Sequence, residues 1–208
     1  VVPTGKFTLT GAEGICVYPV ANADSFAAAV ANEGLAVVDL EGAVESAGLG
    51  FKIERDVILN MNGHEFNAGS TASSYWYALE AYGEHNVVIN DANMTRAGVF
   101  AGEGADVVFN SGVINHKPER TSRYIFCANS GSTITIKDGT FKNDRSKNSF
   151  FWADGGAVIY VEGGNFGGVA SNKKIVTSNG GQVIITGGTF NFDPTAWLAA
   201  GYTATSNI

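Results

Sequence analysis

The sequence predicts an all-β fold, a solenoid of short parallel strands closed at each end by a short helix. Three observations carry this expectation. A β-rich run that ends in a glycine turn and an apolar residue recurs along the chain, its spacing suits one turn of a coil, and no helical periodicity fills the intervals. The clearest copy is VIITGGTFNF at 183–192, and VIYVEGGNF at 158–166 and ITIKDGTF at 134–141 share its shape. Upstream, 107–114 keeps the glycine, 87–94 loses it and 57–66 carries it in a longer turn. The closing apolar residues are Phe66, Met94, Ile114, Phe141, Phe166 and Phe190, separated by 28, 20, 27, 25 and 24 residues. A propeller blade needs about 40 residues, so the unit reads as one coil.

Each unit carries a second short apolar run after a polar stretch. These runs are Tyr75 to Leu79, Val99-Phe100, Tyr124 to Phe126, Phe150 to Trp152 and Ile175-Val176. In a solenoid the same inward position is filled by similar residues in successive coils, so the six closing residues are expected to form one interior stack. The ends need caps. Residues 24–34 read as a short helix with Asp24 or Ser25 as N-cap and Gly34 as its stop. Asp193-Pro194 reads as a second helix start, with Trp197 and Leu198 closing the last coil. The expected organisation is an N-terminal segment and capping helix at 1–34, coils at 35–192 and a C-terminal cap at 193–208.

Composition narrows the function. A chain of 208 residues with 45% hydrophobic and 16% charged residues suits one folded domain. A net charge of −7 argues against a nucleic-acid partner, whose phosphates need clustered Lys and Arg. No apolar run approaches the roughly 18 residues that span a bilayer, so no membrane partner is expected. Cys16 and Cys127 lie far apart and outside any CxxC pair, and are read as buried free thiols. The chain begins at Val1, which leaves room for a leader, an anchor or a further domain before it.

Three stretches carry a resemblance. VILNMNGHEF resembles an early coil of the pectin-lyase-like right-handed parallel β-helices, and ITIKDGTF and VIITGGTF resemble their repeating coils. GGTFNFDPTAWLAAGYTATSN is similar to a C-terminal coil and cap of such proteins from bacteria and phages. The resemblance covers about residues 20–208 and implies a single right-handed parallel β-helix with capping helices. It further implies a non-enzymatic structural or adhesive protein on the exterior of a phage particle: a head fibre, a capsid decoration or a tail-associated spike. Such a protein mediates assembly or host-surface attachment and assembles as a homotrimer beside other virion proteins, with a host-surface glycan as a further partner. The alternatives are a polysaccharide lyase or hydrolase acting on surface glycans, and an adhesin module that is extracellular or on a bacterial cell surface.

The residues offer two candidate sets. For an enzyme, Arg96, His116, Lys142 and Asp144 follow the closing residues of their coils, where a basic group near carboxylates would serve as general base. For a binding surface, Glu119, Arg120 and Arg123 join His116 in the following segment, and Trp76 and Trp152 offer aromatic area for sugar stacking or subunit contact. No metal or other cofactor is expected. Asp91 and Asp138 are separated by a serine-bearing coil, and none of the three histidines has a partner at ligand spacing. The segments 67–74, 115–123, 142–149 and 167–174 are long and polar, whereas 95–98 is short. They leave the solenoid at one corner, which points to recognition or assembly on that side.

Overall fold

The computed structural model describes residues 7–8, 15–31, 34–46, 50–68, 77–95, 98–116, 124–143, 149–168 and 174–206. They form a right-handed parallel β-helix of three sheets that the chain visits, from Leu35 onward, in fixed order, first, second, third, once per coil. The first sheet has nine strands: Phe7–Thr8, Ile15–Val20, Leu35–Leu40, Val57–Asn60, Asn86–Asn90, Asp106–Phe109, Thr133–Ile136, Val158–Val161 and Gln182–Ile185. The second has seven: Val44–Glu45, Phe66–Asn67, Ala92–Met94, Gly112–His116, Thr140–Asn143, Asn165–Gly167 and Thr189–Phe190. The third has six: Phe51–Ile53, Leu79–Tyr82, Val99–Gly102, Tyr124–Ala128, Ser149–Ala153 and Ile175–Thr177. All pairings are parallel except that of Phe7–Thr8 with Ile15–Val20.

Alternation along each strand sends every second residue into one interior. The second sheet places Val44, Phe66, Met94, Ile114, Phe141, Phe166 and Phe190 in register, so the closing residues of the repeat do form a stack. Phe109, Phe126 and Phe141, one from each sheet, meet with ring centroids 5.1–5.5 Å apart. Phe141, Phe166 and Phe190 stack at 4.7 and 4.9 Å. A fully buried side chain of this size contributes about 1.5–3 kcal/mol relative to exposure, and here each ring depends on the coil above and below it.

Two of the three corners have constant length. From Ile89 onward, the inward residue of the second sheet follows that of the first by five positions, as in Ile89 to Met94 and Ile185 to Phe190. From Leu79 to Ile89, and in every later coil through Ile175 to Ile185, the step from third sheet to first is ten. Between second and third sheets the step varies: 13 from Phe66 to Leu79, five from Met94 to Val99, 12 from Ile114 to Phe126, ten from Phe141 to Phe151 and nine from Phe166 to Ile175. The uneven repeat spacing therefore arises at one corner. The short first-to-second corner needs backbone that only glycine adopts easily. Gly139 sits at φ +143 and Gly164 at φ +104, and a Cβ at either would fall within 2.8 Å of the Phe141 ring.

At the same corner, amides stack between coils. Asn110 Nδ2 donates to Asn90 Oδ1, Asn90 to Asn60 and Asn60 to Asp39 Oδ1, each at 2.7 Å. The ladder satisfies these polar groups laterally, so they do not need partners from elsewhere.

The N-terminal end differs from expectation. Ile15–Val20 pairs in parallel with Leu35–Leu40, so the coils begin before the helix instead of at residue 35. The helix is Ala23–Val30, with Asn22 as N-cap and Ala31 as C-cap in place of Asp24 or Ser25 and Gly34. Ser25 sits at the third helical position, where its amide donates to Asn22 Oδ1 at 3.0 Å and its hydroxyl accepts from the Asn22 amide at 3.1 Å. Phe26 is fully buried and meets Phe51 and Phe66 edge to face at 4.8 and 4.9 Å. Arg55, also buried, donates from Nε to the Gly34 carbonyl at 2.6 Å and from Nη1 to the Ala29 carbonyl at 3.0 Å. It thereby satisfies a carbonyl in the last helical turn.

At the other end the expected α-helix start yields only a single 3₁₀ turn, Thr195–Trp197. The Asp193 carboxylate accepts from the Thr195 amide at 2.9 Å, and Leu198 bridges to Ile185 in parallel.

Candidate binding face

The outward positions of the third sheet place Lys52, Glu80, Phe100, Cys127, Trp152 and Val176 in register. Outward positions are ordinarily solvated, yet here a second hydrophobic cluster forms outside the solenoid interior. Tyr77, Phe100 and Cys127 are buried in it, and Tyr82, Tyr124 and Trp152 are half-buried against them. The Phe100 ring lies 5.5 Å from Tyr77 and 5.3 Å from Tyr82, and Tyr124 stacks on Trp152 at 5.5 Å with an 18° tilt. Gly102 makes room for this packing, since a Cβ there would lie 2.7 Å from Phe100 Cε1.

Polar groups border the rings. Glu80 accepts from the Tyr82 hydroxyl at 3.1 Å, and burial raises its carboxyl pKa above the ordinary value. Burial, then the charge of Glu80, pushes the Tyr82 phenol well up. The Cys127 thiol is pushed up to about 12 by burial, which keeps it protonated and makes it a poor nucleophile at neutral pH. Lys52 Nζ pairs with Glu54 at 2.7 Å and stands 4.9 Å from the Tyr82 ring centroid. Further along, Asp154 accepts from the Ser178 hydroxyl at 2.6 Å and from Asn179 Nδ2 at 2.8 Å.

Of the residues singled out in the sequence, Trp152 lies on this face. Trp76, Arg96, Glu119, Arg120, Arg123 and Asp144 lie outside the described residues. His116 is the last residue of its strand, not a loop residue, and is fully buried on the same side as Ile114. Lys142 is exposed and in register with Asn115, whereas His116 is in register with Asn143. The two described members of the proposed catalytic set thus point to opposite sides of one sheet and do not converge. Cys127 is a free buried thiol, as expected for that residue. Among the described residues, no group of three or more His, Cys, Asp or Glu side chains is placed to hold a metal ion.

Sequence reasoning missed Tyr77, Glu80, Tyr82, Phe100 and Cys127 as neighbours. The signal lies in spacing: Cys127 and Trp152 are 25 residues apart and hold the same place in successive coils.

No family model matches the chain, and no curated protein or solved structure is significantly similar to it. The fold and this face define a class, a parallel β-helix bearing an external aromatic cluster on one of its three sheets.

Proposed function

We propose that the chain is a non-enzymatic structural and adhesive β-helix of the pectin-lyase-like kind, carried as a homotrimer on the exterior of a phage particle. There it serves as a head fibre, capsid decoration or tail-associated spike that attaches to a host surface. One observation carries the adhesive part: Phe100, Tyr82, Tyr124 and Trp152 pack together outside an interior that is already filled. Phe100 is itself buried and supports the group, and the half-buried rings of Tyr82, Tyr124 and Trp152 are the aromatic area left for contact with another surface. The resemblance of the repeating coils and of the C-terminal stretch supports the virion setting. An enzyme would need a different constellation from His116 and Lys142, which lie on opposite sides of their sheet.

The test uses the purified full chain. Light scattering is expected to give three chains per particle, and fluorescently labelled protein to bind some members of a panel of bacterial strains. Trp152→Ala with Tyr124→Ala, the stacked half-buried pair, is expected to weaken that binding about tenfold or more, in line with interfacial aromatic anchors. Capsule and pectin polymers incubated with the protein should keep their length. Shortened polymers, or binding indifferent to both aromatics, would overturn the reading.

A further inference from the structure

The outward face of the first sheet has a pattern that its solvated position does not require. Its central column runs Val37, Ile58, Val88, Val108, Thr135, Tyr160 and Ile184 in register, and Val17 extends it by one strand. Tyr160 is 38% exposed and the others are half-buried. On one side the column is flanked by the amide ladder of Asn60, Asn90 and Asn110, continued by Lys137 and Glu162. On the other side Asn86 and Asp106 are exposed.

We propose that two further copies of this chain cover the face, their central columns meeting on a threefold axis parallel to the solenoids. This rests on the homotrimer of the proposed function and assigns its contact. Three arguments select this occupant. A face about five residues wide measures roughly 16 Å, and three such faces enclose a prism whose walls stand about 5 Å from the axis, half the usual spacing of packed sheets. One apolar column per face therefore fills the centre.

A flat two-copy sandwich would bury both polar flanks along with the column. Threefold closure leaves the flanks at the corners, and only the apolar column leaves water entirely. There the same geometry sets Lys137 of one copy one strand from Asp106 of its neighbour and Asp39 one strand from Asp56, one opposite-charge and one like-charge contact, so the Lys137 contact is the place where charge favours the assembly and the one to perturb. Eight strands at about 4.8 Å give a face roughly 34 Å long and about 550 Å² in projection. Side-chain relief raises its accessible area toward ~800 Å² per chain, shared between the two neighbours, so that each chain buries in total about as much as one side of a stable two-body interface.

The experiment compares native masses by light scattering, with far-UV circular dichroism as the fold readout. The wild-type chain is expected at three times 21.7 kDa. Val108→Lys with Tyr160→Lys places like charges on the axis. It should raise the concentration for half-dissociation roughly 100-fold, leaving single folded chains at micromolar protein. Should that variant lose its fold, Lys137→Glu decides: it should weaken the trimer, and adding Asp106→Lys should restore it. A three-chain particle indifferent to these changes would overturn the assignment of the face while leaving the trimer standing. A wild-type chain that stays single at all concentrations would overturn both.

Discussion

The two ends of the solenoid face the same problem and meet it differently. At the N-terminal end an eight-residue helix lies across the first coils, with Phe26 sealed against Phe51 and Phe66 and Arg55 fastening its last turn. At the C-terminal end Phe190, Phe192, Trp197 and Leu198 are only partly buried, and a cavity of about 860 Å³ separates the last coil from the residues around Tyr202. Among the described residues a single parallel bridge between Ile185 and Leu198, which includes the hydrogen bond from the Ala199 amide to the Ile185 carbonyl at 2.9 Å, ties the backbone of the closing segment to the first sheet. The comparison teaches that a coil's edge is stabilised by volume filled as well as by strands paired. A helix supplies both a packed face and capped ends, whereas a strap supplies mainly backbone contacts.

Truncating the two ends should break the symmetry most visibly. Phe26→Ala is expected to cost about 3–5 kcal/mol, as for a buried aromatic whose site cannot collapse. Phe192→Ala should cost about 1–2 kcal/mol, because its ring is already part solvated. Urea unfolding of both variants measures the gap, and equal losses would show that the C-terminal end is as well packed as the other.

Next in size is Arg55→Ala, which leaves the Gly34 and Ala29 carbonyls without the guanidinium and should cost about 2–3 kcal/mol by the same assay. Hydrogen exchange sharpens the contrast further. Amides of Gln182–Ile185 should exchange through local opening well before those of Leu35–Leu40, and the reverse order would contradict the difference in closure.

The smallest effect is with pH. The hydrogen bonds from Thr195 hold the Asp193 carboxyl below its ordinary value near 3.8, so its contribution is present above that pH and is lost as pH falls through the lowered value. Glu80, raised above 4.5 chiefly by burial, acts in the opposite sense. Its contribution is full below 4.5 and is lost as pH rises through the raised value. As pH falls below 3.8, protection from exchange, taken relative to the intrinsic rate at each pH, is thus expected to drop around Thr195 while the strand Leu79–Tyr82 keeps its own.

The interior of the solenoid was more legible in the sequence than either end or the external face. Phe66 through Phe190 announced their column because a turn residue precedes most of them at fixed distance, and register follows from that turn. The start of the coils was hidden by Pro19, a residue that argues against a central strand. Its strand tolerates it because the Val20 carbonyl accepts from Glu41 on the Leu35–Leu40 side, so by alternation the nitrogen of Pro19 faces away from that parallel neighbour and no bond to it is lost. His116 was misplaced although period-two counting from Ile114 puts it inside. The aromatic cluster was harder to read. Tyr82 and Phe100 come from successive coils of the third sheet, and the corner that leads into that sheet has no constant length from which to count.

That inconstant corner has an evolutionary meaning. Steps of five and ten residues leave no freedom at two corners from Ile89 onward, since one inserted residue there would turn a strand's inward set outward. The third has accepted between five and 13 residues without disturbing a single column. Loop entropy rises by only about 0.6 kcal/mol for each doubling of length. Mutation can therefore lengthen, shorten or replace these segments while the scaffold stays heritable and intact, and the same latitude makes the corner a natural place to graft foreign peptides.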